Sequence, residues 1–295
     1  MTTATFEPME DLSVPVPNGE INVWHRQAED NAATAVLVHG LSGNSRWWTS
    51  VIDHLPEEMG VVALDVRGRG GSVDAPAPYD LTTIGDDIAR AMDHLGVETA
   101  VVTGYSMGGW VVALFGTRHP DRIQRLLLID GGLPIPSDGA DPEEMIETIV
   151  GPSLRRLETE FASEESFFET WRTHPGFASY WDDSMRACLG HELVPDGERF
   201  IVRCNPEAIR VGAREMIVSE EANNAAEQLA VPSHLIVVER GTMDQPGGMI
   251  PLDVAERTAG NNPHLTMQYL PGVNHYTLLL GSGAAEVASA ITRTG

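Results

Sequence analysis

The chain has 295 residues, of which 42% are apolar and 21% charged, a composition that suits one large α/β domain or two small ones and excludes collagen, coiled coil and disorder. Its 43 acidic residues against 19 basic ones give a net charge of -24, so its surface repels phosphate backbones and anionic lipids, and neither nucleic acid nor a membrane is expected as partner. All 19 basic residues are arginine, which excludes Schiff-base and P-loop lysine chemistry. No apolar run approaches the ~20 residues of a membrane helix. The N-terminus MTTATFEPMEDLSVP carries neither a basic nor an apolar leader segment, so the protein is expected to be soluble and cytoplasmic. Two cysteines, Cys188 and Cys204, are too few for a disulfide framework or a cysteine-type zinc site and are read as free thiols in a reducing compartment.

In chain order, SVPVP and EINVWHR alternate apolar and polar residues around Pro17-Asn18-Gly19, which predicts a hairpin. Short β-branched runs then alternate with helical stretches. The strands are AVLV (35 to 38), VVALD (61 to 65), AVVTG (100 to 104) and RLLLID (125 to 130), and the helices fall near 45 to 55, 82 to 95 and 109 to 119. Uniformly apolar strands alternating with helices predict a parallel sheet covered on both faces. Residues 133 to 228 break this rhythm with a segment rich in Glu, Phe and Trp and poor in strand signals, read as a helical insertion over the strand ends. The rhythm resumes at HLIVVE (234 to 239), with a helix near 251 to 259, a strand LTMQYL (265 to 270) and a last helix from about 284.

Gly104-Tyr105-Ser106-Met107-Gly108-Gly109 lies between a predicted strand and a predicted helix and spells G-x-S-x-G. A chain turning this sharply strains the central residue, and side chains two positions to either side would collide, so glycine is required there. The helix that follows aims free N–H groups at the same point, which favours an oxyanion. Val38-His39-Gly40-Leu41 follows the first parallel strand, so the backbone N–H groups of Leu41 and Met107 are the expected oxyanion donors. The His39 side chain is expected to brace the loop. Asp65 and Asp86 are read as loop-bracing or helix N-terminal carboxylates.

These motifs resemble the α/β-hydrolase family in its order along nearly the whole chain: VLVHG, ALDVRGRGGS (63 to 72), GYSMGG, HPDRIQRLLLID (119 to 130) and GVNHYTLL (272 to 279). The resemblance implies an α/β-hydrolase fold. That is an eight-stranded, mostly parallel sheet as core (1-132 and 229-295), with a helical cap (133-228) after the sixth strand. It also implies a Ser, acid, His triad in that chain order. His275 fits the histidine, after the last strand. For the acid, Asp244 matches the family's usual position after the seventh strand, and Asp130 at the end of the sixth is the alternative.

The chemistry needs a neutral imidazole to take the serine proton and return it. The resulting reading is a serine hydrolase of a moderately apolar small-molecule ester or lactone, with catalytic Ser106, Asp244 and His275 and no metal or organic cofactor. In the insertion, Trp171, Tyr180 and Trp181 are candidates for the pocket wall, as is Trp47 near the oxyanion loop, with packing as the alternative for each; Trp110 is expected to pack inside. Carbon-carbon bond hydrolases, thioesterases and perhydrolases share such a triad, and a non-catalytic receptor on this fold is the rival from another class. Rossmann nucleotide binding lacks its G-x-G-x-x-G here.

Overall fold

In the computed structural model, which describes residues 9–137, 139–177 and 180–293, strands β1 (Glu10–Val16) and β2 (Gly19–Arg26) form the expected antiparallel hairpin. Asn18 turns it at φ 64°, a left-handed conformation that asparagine tolerates. Most of the N-terminal stretch read above for a leader, residues 1–8, lies outside the described residues.

The βα alternation then follows: β3 (Thr34–Val38), α1 (Thr49–Ile52), β4 (Gly60–Leu64), α2 (Leu81–His94), β5 (Ala100–Tyr105), α3 (Met107–Arg118) and β6 (Ile123–Ile129). The helix expected near 45 to 55 is a 3-10 turn over Ser45–Trp48 followed by the single turn α1. Asp80, not Asp86, caps α2, through its carboxylate to Thr83 N; Asp86 lies inside the helix and faces Arg118 at 4.0 Å.

The insertion carries α4 (Pro142–Leu157), α5 (Glu164–Arg172), α6 (Asp183–Gly190), a hairpin of β7 (Leu193–Asp196) and β8 (Arg199–Val202), α7 (Pro206–Val218) and α8 (Glu220–Asn224). Asp141, Ser163, Asp182, Asn205 and Ser219 cap its helices with side-chain oxygens. The hairpin is an addition to the helical insertion expected from the sequence. Its signal is Gly197 at φ 61°, which with Glu198 forms the two-residue turn between the paired Asp196 and Arg199.

The chain closes with β9 (Ser233–Arg240), α9 (Leu252–Asn261), β10 (Leu265–Asn274) and α10 (Gly281–Thr292). The sheet runs β1-β2-β4-β3-β5-β6-β9-β10, parallel from β4 onward.

Period-two alternation sorts the strand side chains into two cores. Val36, Val38, Val62, Leu64, Val102, Leu126 and Leu128 pack with α2, α3 and α9. Ala35, Leu37, Val61, Ala63, Val101, Leu127 and Ile129 pack with α1 and α10. Among the described residues no helix is long and apolar enough to cross a membrane.

The glycines at the end of β5 are set by backbone contact. A Cβ on Gly104 would lie 2.1 Å from the Gly108 carbonyl oxygen, and one on Gly108 would lie 2.3 Å from that of Val38. Gly104→Ala should therefore destabilise the fold by about 3 kcal/mol or more, as a strained core overpacking does. A Cβ on Gly260, inside α9, meets nothing within 4 Å, so Gly260→Ala should be neutral or stabilising by up to ~1 kcal/mol. Urea midpoints of the two variants check the pair, and equal shifts would contradict the crowding.

Candidate active site

Ser106 follows β5 directly and precedes α3, at φ 54° and ψ -125°. Its N–H donates to Ile129 O at 2.9 Å, so the turn hangs from the end of the neighbouring strand β6. The Gly40–Leu41 segment passes over it: a Cβ on Gly40 would lie 3.0 Å from Ser106 Cβ and 3.4 Å from Oγ. Met107 opens α3, so its N–H has no helical acceptor behind it. Leu41 lines the same cavity as Ser106, and Met107 follows that serine directly in the chain.

Register decides which carboxylate reaches the histidine. Tyr105 pairs with Ile129 across β5 and β6, so Ser106 and Asp130 leave adjacent strands side by side. Asp130 turns away at φ 44° while its N–H still donates to Ile236 O of β9 at 2.8 Å. Its side chain is fully buried, and Oδ2 lies 2.6 Å from His275 Nδ1. An imidazole N–H facing a carboxylate must be the donor, so Nδ1 carries the proton and Nε2 is left with its lone pair. His275 is held further by its own N–H to Arg240 O at 3.0 Å, by Tyr105 Oη donating to its carbonyl at 2.9 Å, and by the Tyr105 ring stacked 4.8 Å away.

Asp244, the acid first expected, does not touch the histidine ring. Its carboxylate accepts from Arg240 Nε at 2.8 Å and Nη2 at 3.0 Å, and from Asn274 Nδ2 at 3.0 Å. Those hydrogen bonds, Arg240 first, hold it below its ordinary pKa. Arg240 stands four residues upstream and clasps the Asp244 main-chain oxygen as well. The carboxylate is thereby drawn toward solvent, 37% exposed, and fixes residue 274 instead of the ring of 275. The alternative named from the sequence, Asp130, holds the position beside His275.

A cavity of about 120 Å³ opens on Ser106 and His275. Leu41, Ser42, Trp47, Tyr105, Met249 and Tyr276 line it from the core, and Ile149 and Ser153 from α4 of the insertion. The insertion therefore lies over the carboxyl ends of the strands. Met249 is the roof over the serine, its Sδ 3.9 Å from Oγ. Of the aromatic candidates only Trp47 lines this cavity. Trp171 sits behind it, edge-on to Tyr276 and Phe177. Trp181 packs on Phe168 and under the Arg172 guanidinium, and Tyr180 lies against Gly281, both outside the lining. A second hollow, about 470 Å³, lies at the amino ends of the strands near Met59, Arg125 and Ile291, away from Ser106.

Behind the Gly40–Leu41 loop the buried polar groups are satisfied largely by backbone. His39 is fully buried; its Nε2 accepts from Val66 N at 3.0 Å, leaving Nδ1 to donate to Gly40 O at 2.7 Å. Burial lowers its pKa to about 4, against the raising pull of Asp65. Asp65 accepts from Ser45 N, Gly71 N and Asn22 Nδ2. Burial opposes its charge, yet His191, His39 and the Ser45 N–H bring its pKa below the usual carboxylate range. Both residues brace loops, and Trp110 packs inside, donating to Asn223. Among the described residues no cluster of His, Cys, Asp and Glu is placed to hold a metal ion.

A family model described as alpha/beta hydrolase fold matches residues 35–242. A pimeloyl-[acyl-carrier protein] methyl ester esterase of Neisseria meningitidis is 28% identical over 209 residues, 70% of each chain. A putative carbamate hydrolase, RutD, of Caulobacter sp. strain K31 is 33% identical over 108 residues, 36% of this chain; the match spans 40% of the relative's length. Among solved structures, E-2-(acetamidomethylene)succinate hydrolase superposes with a TM-score of 0.81 at 17% identity, covering 96% of this chain and 99% of that one. That likeness shows the fold.

The neutral, buried His39 has a consequence for stability. The unfolded chain takes up a proton at the ordinary histidine value of 6.5 and the folded one only at about 4. Between those values the unfolded state binds more protons, so stability rises with pH and is lost as pH falls from about 6.5 to about 4. The single site contributes on the order of 3 kcal/mol across the window. Urea unfolding at pH 7 and pH 4.5 should show this drop, and His39→Gln should flatten it; an unchanged pH slope in the variant would contradict the assignment.

Proposed function

The chain belongs to the α/β-hydrolase fold family, and from that membership and the groups gathered around Ser106 we propose that it is a serine hydrolase cleaving a small carboxylic ester or lactone. The observation that carries this reading is the buried Asp130 carboxylate 2.6 Å from His275 Nδ1, beside a serine held at φ 54°.

In the proposed reaction Ser106 Oγ attacks the carbonyl carbon while His275 Nε2 takes its proton. Asp130 keeps the Nδ1–H tautomer and stabilises the imidazolium as it forms. The carbonyl oxygen becomes an oxyanion facing the Leu41 and Met107 N–H groups. Collapse of the tetrahedral adduct breaks the ester C–O bond, and the leaving oxygen takes the proton back from Nε2. Water then attacks the acyl-serine, with its proton passing to Nε2 and on to the departing Ser106 Oγ. The insertion acts here as a cap, and Ile149 and Ser153 shape the acyl site. The cavity beside Ser106 is small, about 120 Å³, against the ~150 Å³ that holds benzene in an apolar protein interior, which favours a short acyl group. The mainly apolar lining and the Met249 thioether suit a moderately apolar chain.

Ser106→Ala should leave the fold intact and lower kcat on a p-nitrophenyl ester by roughly 10³ to 10⁶. Asp130→Asn should cost ~10⁴ in kcat by presenting the wrong tautomer partner, while Asp244→Asn keeps most of its turnover. The reverse order of the two Asn variants would refute the proposed role of Asp130. Across p-nitrophenyl esters from acetate to octanoate, kcat/KM should peak at acetate to butyrate, and Met249→Ala should move the peak to longer chains. An octanoate optimum in the parent protein would overturn the small acyl site.

A further inference from the structure

Arg69 is fully buried, and among the described residues no carboxylate lies within 4 Å of it. Two residues earlier, Arg67 is buried as well, but its charge is matched by two hydrogen bonds to Asp87, at 2.7 and 2.8 Å. Arg69 donates instead to three main-chain oxygens: Leu41 at 2.9 Å from Nε, Arg67 at 2.9 Å from Nη1 and Ala208 at 2.8 Å from Nη2. Nη2 also lies 3.6 Å from Met107 Sδ. One guanidinium therefore touches the two residues assigned as oxyanion donors, one through its carbonyl and the other through its side chain, and ties both to helix α7 of the cap.

The surroundings are shaped for this contact. A Cβ on Gly212 of α7 would lie 2.8 Å from Met107 Sδ, 3.0 Å from Arg69 Nη2 and 3.0 Å from Leu41 Cδ1. Gly68, at φ 79°, lets Ala208 approach where a Cβ would lie 2.5 Å from its own. Arg69 forms an antiparallel bridge with Cys204 of the cap, and Asn205 N donates to Gly68 O at 2.8 Å. An isolated buried charge is costly, and here it stands against the groups that face developing negative charge in the proposed reaction.

We propose that Arg69 is a positioning residue of the oxyanion site: its guanidinium fixes the Leu41 main chain against α7 and holds an unpaired positive charge behind the place where the substrate carbonyl oxygen becomes negative. This rests on the serine-hydrolase reading. It also couples the seat of the cap to the oxyanion site, since the same Nη2 serves Ala208 and Met107.

The test compares Arg69→Met, Arg69→Lys and the parent on a short p-nitrophenyl ester and on two inhibitors of equal length. One is a trifluoromethyl ketone, whose serine adduct carries an oxyanion; the other is the plain alkyl alcohol, which carries none. Circular dichroism and melting temperature establish folding. Arg69→Met should lower kcat roughly 10- to 100-fold at near-constant KM, somewhat less than removing an oxyanion donor itself. It should weaken the trifluoromethyl ketone in proportion and leave the alcohol unchanged. Arg69→Lys, which keeps the charge but cannot span the three carbonyls, should fall between, and it carries the test if Arg69→Met does not fold. Equal losses for both inhibitors, or no loss for either, would reduce Arg69 to a bolt for the cap and overturn the proposal while leaving the functional reading intact. A parent protein without Ser106-dependent ester hydrolysis would instead sink the functional reading and this proposal with it.

Discussion

Everything around Ser106 depends on how closely three stretches of backbone approach where β5 leaves the sheet. Gly104 meets the Gly108 carbonyl, Gly108 meets that of Val38, and a Cβ on Gly131 would lie 2.1 Å from Ser106 O. These contacts exclude any larger residue and leave the serine no ordinary conformation, which is why it sits at positive φ, a strain the surrounding structure must hold in place. They also bring α3 close enough to β3 for the Gly40–Leu41 loop to cover Ser106. The same crowding sets Asp130 beside the serine, because β6 pairs with β5 up to the last residue before both chains turn.

Around this point the protein spends buried polar groups on loops. His39, Asp65, Arg67 and Arg69 are all nearly or fully inaccessible, and each is saturated largely by main-chain atoms or, for Arg67, by a matched carboxylate. Removing one partner of such a network leaves the other buried and unsatisfied, which is costlier than the bond's net contribution. The loop from His39 to Ser45 is accordingly held by chemistry as well as by packing: His39 holds its start, Arg69 its Leu41 carbonyl, and Asp65 the Ser45 turn that follows.

Much of this was legible in the sequence for physical reasons. Apolar strands alternating with helices specify a parallel sheet, and the glycine spacing around Ser106 specifies a turn too tight for side chains. The position of His275 followed from chain order in the family that the motifs resemble. Which side chain stands beside His275 was harder to read, because Asp130 and Asp244 both follow strands and the choice between them turns on which strand lies next to β5. Two local clues were nevertheless present: Arg240 four residues before Asp244, and Asn274 before His275, which together occupy that carboxylate. The pocket wall was least legible. Trp171, Tyr180 and Trp181 stand out by composition, but α4 supplies Ile149 and Ser153, and the rotation of a docked helix is set by tertiary packing that no local pattern encodes. The β7–β8 hairpin was signalled only by the turn glycine Gly197 within an otherwise helical stretch.

The central claim is that these contacts turn Ser106 into a nucleophile, and covalent labelling tests it most directly. The folded protein would be treated with a fluorophosphonate at neutral pH and analysed by intact mass and peptide mapping. One adduct per chain on the peptide containing Ser106, absent after prior treatment with acid to unfold the protein, is the result this account predicts. No adduct on Ser106, or labelling spread over other serines at equal rates in folded and unfolded protein, would contradict it.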